Sequence, residues 1–209
     1  FLNLVYGQND EQGNLVYGDF ANWRTIEGNG NPNIRRGVGR DGKGFTEDEI
    51  NWFINWFLSQ QQIDQILAFS APQPGCPIRI EFRWMEVTHG NVHLFVGGDM
   101  SEQTRAANDD MSEQTRAAND PIFFNLHSFV DYIWEMWRQS RQTRESRERD
   151  YPMDNSQCSS PQHFGSAPMR PFQPWPWQNR DGLNNKYTDN MYEYAPRPSC
   201  QMPNCGSKF

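Results

Sequence analysis

Histidine is scarce in this chain. Of 209 residues only four are histidine, at positions 89, 93, 127 and 163, and none precedes residue 89. Long apolar runs are missing too: no stretch of 18 apolar residues occurs, so no membrane span is expected. No basic segment leads into an apolar core, so no secretory leader is expected within these residues. The chain begins at Phe1 rather than Met and reads as a processed chain or a fragment. It has no N-x-S/T sequon, so glycosylation gives no evidence of compartment. It has no C-x-x-C, which argues against a zinc ribbon or finger. Basic charge is in deficit, with 19 Lys and Arg against 26 Asp and Glu, a net charge of -7 and a pI near 5.1. That balance disfavours nucleic acid and anionic membrane as partners. The one basic cluster, at 138–149, is interleaved with Glu145 and Glu148 and is expected to be the solvated end of a helix.

What remains is enough to build a core. Hydrophobic residues make up 36% of the chain and aromatics 14%, including 14 Phe and 8 Trp, in a length typical of one domain or a large piece of one. The four cysteines (Cys76, Cys158, Cys200 and Cys205) form an even set. Two disulfides in a secreted protein are expected from that count, with three pairings open.

Residues 1–45 are rich in Gly and Asn and read as a loop-rich lead-in with a short strand at Leu15–Tyr17. A helical core is expected over 46–147. Thr46 and Glu49 form a capping box, and Ile50, Phe53, Ile54 and Phe57 then share one helical face. A second helix is expected at 61–69, ended by the prolines of 72–77. A third is expected at 78–96, stopping at Gly97-Gly98. The fourth and strongest is expected at 121–147, capped by Asp120 with Pro121 in its first turn. Its apolar face runs through Ile122, Phe123, Leu126, Phe129, Val130, Ile133, Trp134 and Trp137. Residues 148–209 are Pro-, Asn- and Ser-rich, yet Phe172, Trp175, Trp177, Tyr187, Tyr192 and Tyr194 are too aromatic for a solvated tail. An ordered, loop-rich wrap is expected there.

One repeat stands out: DMSEQTRAAND occupies 99–109 and again 110–120. Two copies of eleven residues match no solenoid period. A tandem duplication in a polar surface loop is expected, at small cost in loop entropy.

Three of the histidines fall in a chemical pattern. His89 and His93 are four apart, so both imidazoles leave one helix face a turn apart. His127 lies in the second turn of the strongest helix, between Phe123 and Val130. A histidine among apolar residues must satisfy both ring nitrogens, and a metal on one with a hydrogen bond on the other does so. Taken as residue types alone, the pair is equally read as a helix surface feature and His127 as a hydrogen-bonded core residue.

The surrounding strings resemble a known family. N-D-P-I-F-F-N-L-H-S-F-V-D at 119–131 is similar to the copper-B signature of tyrosinases, D-P-x-F-x-x-H-H with an aspartate four residues on. H-G-N-V-H at 89–93 with Val96-Gly97-Gly98 is similar to the H-N-x-V-H-x-x-V-G-G segment of that family. His93 and His127 are 34 positions apart, or 23 without one repeat copy, about the family spacing. G-D-F-A-N-W-R at 18–24 resembles G-P-F-x-N-W-R, and Tyr192-Glu193-Tyr194 resembles Y-x-Y. The resemblance implies a mainly α protein: part of a tyrosinase-like four-helix bundle followed by a long loop-rich, disulfide-stapled segment. It implies copper as cofactor, phenolic or catecholic substrates oxidised to quinones with dioxygen, and an extracellular location. It also implies that His89, His93 and His127 hold copper B, that Phe123 packs over the site, and that Asp131 orients an imidazole.

Departures from the pattern are as informative. Three further histidines that would hold copper A are expected upstream of N-W-R and do not occur; His163, in a Pro-rich loop, cannot replace them. The dicopper reaction therefore requires a copper-A-bearing segment or chain. Gly90 stands where the family often has an asparagine that helps hold a phenol-deprotonating water. Catechol oxidation is therefore expected to exceed phenol hydroxylation. Glu81 and Glu86 are candidates for the family's water-holding glutamate, with Glu86 also read as a simple helix-face residue. Leu126 replaces the first histidine of the usual doublet. The alternative functions are a non-catalytic matrix protein that keeps the fold, and oxygen transport as in haemocyanins.

Overall fold

The computed structural model describes residues 7–21, 23–26, 33–56, 74–78, 84–98, 116–169 and 176–196. The described part is mainly helical: β1 (Gln8–Asn9) and β2 (Leu15–Tyr17) form a small antiparallel pair, followed by helices α1 (Glu47–Trp56), α2 (Met85–Val96), α3 (Ile122–Arg141), α4 (Arg144–Arg149) and α5 (Lys186–Asn190). The helix expected at 61–69 lies outside the described residues, as do nearly all of the duplicated loop, Cys200 and Cys205. No helix among the described residues is long and apolar enough to cross a membrane.

α1 starts where its capping box dictates. Glu49 Oε2 accepts the Thr46 N–H at 3.0 Å, and Thr46 Oγ1 accepts the Glu49 N–H at 3.2 Å. Ile50 and Phe53 bury one face against α3. They join Trp84 and Met85 at the start of α2, Ile133 and Trp137 on α3, and Cys158 from the wrap in one core cluster. Each such aliphatic or aromatic side chain contributes about 1.5–3 kcal/mol by leaving water. A second cluster joins Val96 of α2 to Ala117, Ile122 and Leu126, and so clamps the two histidine-bearing helices together.

Two helix boundaries differ from the sequence expectation. α2 begins at Met85, not at 78, because Trp84 is extended (φ -64°, ψ 148°). The segment expected as one helix over 121–147 is two, because Gln142 is extended (φ -114°, ψ 147°) and Thr143 then caps α4 by accepting the Ser146 N–H. The basic cluster is also not simply solvated. Arg138 is 2% exposed; it donates to Glu135 Oε2 at 2.7 Å and to the carbonyls of Leu183 and Arg147, and lies 4.5 Å over the Trp134 ring. Sequence spacing gave no sign of these carbonyl acceptors, one of which sits 45 residues away.

The lead-in is the brace of the helical core. Gly37 N–H donates to the Val96 carbonyl at 2.9 Å and Gly39 N–H to the Phe95 carbonyl at 2.8 Å, satisfying the C-terminal end of α2. Gly97-Gly98 stops the helix as expected, and the structure adds the reason. Both residues have positive φ (71° and 57°), and a Cβ on Gly98 would sit 2.0 Å from the Arg35 carbonyl oxygen. Only glycine admits the lead-in backbone this close.

The wrap is stapled by the Cys76–Cys158 disulfide, one of the pairings left open by the sequence. Its two described stretches are mostly irregular, with short 3-10 turns at Pro161–His163 and Asn179–Leu183.

Candidate metal centre

α2 delivers two imidazoles and α3 the third. His89 and His93 leave adjacent turns of α2, and their Nε2 atoms lie 2.8 Å apart. His127 points from the second turn of α3 to the same spot, its Nε2 3.4 Å from that of His89. One ring nitrogen from each of the three falls within 4.8 Å of the others, and no other such group of His, Cys, Asp or Glu occurs among the described residues. Three nitrogens each about 2.0–2.1 Å from one ion would lie roughly 3–3.5 Å apart, and the separations of 2.8 and 3.4 Å from His89 lie near that range. His93 is 1% exposed and the other two are half-buried.

The chemistry of the donors fits a divalent metal. Burial, and then the charges of His89 and His93, push the His127 pKa down to about 4, while Glu86 opposes the shift. The ring is therefore neutral at pH 7, with a lone pair free to coordinate. Imidazole donors suit copper and zinc, and the affinity order favours copper.

Phe123 lies against the cluster, its ring 4.1 Å from that of His127 and 6.1 Å from that of His93 between centroids. Among the described residues a carboxylate lies beside the imidazoles: Glu86 Oε2 is 3.5 Å from His89 Nδ1. Burial of Glu86 pushes its carboxyl up, but the contact with His89 and the charges of His89, His163 and His93 outweigh this and hold it below the usual range. The i,i+3 spacing of Glu86 and His89 was visible in the sequence as a helical neighbour pair. Asp131, which the family likeness implies orients an imidazole, accepts the hydroxyls of Tyr192, at 3.1 Å, and Tyr194 on Oδ2. The Y-x-Y motif thus ties the wrap to α3 one turn beyond His127. Glu81 lies outside the described residues.

A family model described as the common central domain of tyrosinase matches residues 4–140. The chain belongs to the tyrosinase family. Tyrosinases depend on copper, and here three histidines are positioned to bind a metal ion. The putative tyrosinase-like protein tyr-3 of Caenorhabditis elegans is 53% identical over 201 residues, which cover 96% of this chain and 26% of that protein. Tyrosinase-like protein 1 of Margaritifera margaritifera is 29% identical over 94% of this chain and 35% of its own length. A tyrosinase-like protein of Pinctada maxima is 34% identical over 118 residues, 56% of this chain and 22% of its own. The matches thus span about a fifth to a third of the length of these tyrosinase-like relatives.

Proposed function

We propose that this chain is a single partial tyrosinase-like domain, the copper-B half of an oxidoreductase that converts phenols or catechols to quinones. His89, His93 and His127 hold one copper, and Phe123 packs over it and keeps water from one side. Asp131 acts through Tyr192 and Tyr194, anchoring the wrap one turn beyond His127. Copper held by these histidines, paired with a second copper held elsewhere, would supply the redox chemistry by which dioxygen oxidises the substrate. The partner histidines come from a copper-A-bearing segment or chain outside these 209 residues, since no histidine precedes His89. The disulfide supports an extracellular location. Gly90 beside His89 favours catechols over phenols, because glycine cannot hold the deprotonating water.

The observation that carries this reading is the convergence of three ring nitrogens from two helices on one point. Titration with cupric ion tests it: the wild-type chain is expected to bind one equivalent and His127→Ala to bind far more weakly. Copper should also raise the melting temperature of the wild type, because it binds the folded state. Equal binding by both chains would refute the ligand assignment. Catechol oxidation is then assayed with the copper-A-bearing segment restored. Copper binding without turnover would favour the second reading, a non-catalytic matrix protein that keeps the fold.

A further inference from the structure

We propose that Glu86 is the positioning residue of His89, holding its Nδ1 so that Nε2 faces the other two imidazoles. The inference rests on the reading of the three histidines as one metal site, and adds how its central member is oriented.

His89 is the shared vertex of the cluster, with its Nε2 2.8 Å from that of His93 and 3.4 Å from that of His127. An imidazole offers that lone pair only if its proton sits on the other nitrogen, and a neighbour at Nδ1 decides which tautomer forms. Glu86 Oε2 is that neighbour, 3.5 Å from Nδ1 and one turn N-terminal on the same helix. The distance lies at the long limit for a hydrogen bond, and an oxygen acceptor placed there favours the tautomer with its proton on Nδ1. Glu86 is itself placed by the fold. Trp84 and Met85, directly before it, are buried with Cys158, and the Cys76–Cys158 bridge fixes the wrap against this end of α2. The hydrogen bonds described for Asp131 go to the two phenols, and among the described residues Glu86 is the carboxylate that touches one of the three imidazoles.

The test uses the 209-residue chain with two readouts. Long-range 1H–15N correlation at about pH 8, where ordinary imidazoles are neutral, reads the His89 tautomer without added metal. The wild type is expected to carry the proton on Nδ1, and Glu86→Ala to shift it toward Nε2. Cupric-ion titration should then show roughly 10- to 100-fold weaker binding for Glu86→Ala. Glu86→Gln can still accept from Nδ1–H, and should restore the tautomer and most of the affinity. An unchanged His89 15N pattern in Glu86→Ala overturns the proposal, whatever copper does. If wild type and His127→Ala bind copper alike, the metal-site reading fails, and the tautomer measurement still decides the role of Glu86.

Discussion

Arg36 and Asp120 form a buried ion pair across 84 residues: Nε donates to Oδ2 at 2.7 Å and Nη2 to Oδ1 at 2.8 Å. Asp120 Oδ1 also accepts the Ile122 N–H at 3.0 Å, so one carboxylate both neutralises the lead-in arginine and caps the helix that carries His127. Removing one partner of a buried pair leaves an uncompensated charge, which costs about 3–5 kcal/mol. Arg36→Met is therefore expected to lose about that much in urea unfolding, and to weaken copper binding as the first turn of α3 shifts. A near-neutral result would mean that Asp120 finds another partner.

The described contacts of the duplicated segment come from the end of its second copy. Ala117 is fully buried, Asn119 Oδ1 accepts the Ile26 N–H at 3.1 Å, and Asp120 closes the pair with Arg36. Because the copies are identical, deleting one leaves a chain that retains every one of these residues. Loop-closure entropy changes slowly with length. The deletion is expected to leave stability within about 1 kcal/mol and metal binding unchanged, as read by denaturation and copper titration. Loss of folding would show that the first copy has a structural role of its own.

The Cys76–Cys158 bridge spans 82 residues and enters the core beside Trp84 and Met85. A cross-link over that distance restricts the unfolded chain strongly. The double variant Cys76→Ala/Cys158→Ala should lose about 2–5 kcal/mol, measured against the oxidised wild type.

Tyr192 carries a pH signature. Burial, and then the charge of Asp131, raise its pKa from 10.0 to about 12, and Tyr194 is raised by burial and by its hydrogen bond to Asp131. The folded chain thus keeps protons that the unfolded chain gives up above about pH 10. Stability from this clasp is present below pH 10 and falls as pH rises toward 12. In an alkaline absorbance titration, Asp131→Asn should make these two phenols ionise at lower pH. Identical curves would rule out the clasp in solution.

Gly90→Asn, introduced into an enzyme carrying both copper-binding halves, should raise phenol hydroxylation relative to catechol oxidation. A ratio unmoved by the substitution would remove Gly90 as the source of the preference.

Local rules made much of the molecule legible. The capping box at Thr46 and Glu49, the Asp120 cap, the apolar stripe of α3 and the Gly97-Gly98 stop each depend on residues a few positions apart, and periodicity reads such relations directly. The histidine pattern was legible for the same reason, since i,i+4 spacing alone puts His89 and His93 on one face. The break at Gln142 escaped because Arg138, Arg141 and Arg144 continue a helical pattern without interruption.

By itself the sequence determined the capped start of α1, the apolar stripe of α3, the Gly97-Gly98 stop, the three imidazoles and the family likeness. Only the tertiary structure decided that His127 meets the α2 pair, that Cys76 joins Cys158, that Asp131 serves two phenols, and that Arg36 holds Asp120. Each of these pairs spans between 34 and 84 residues. Such contacts arise from the packing of the whole core, because no local backbone preference carries information over that distance.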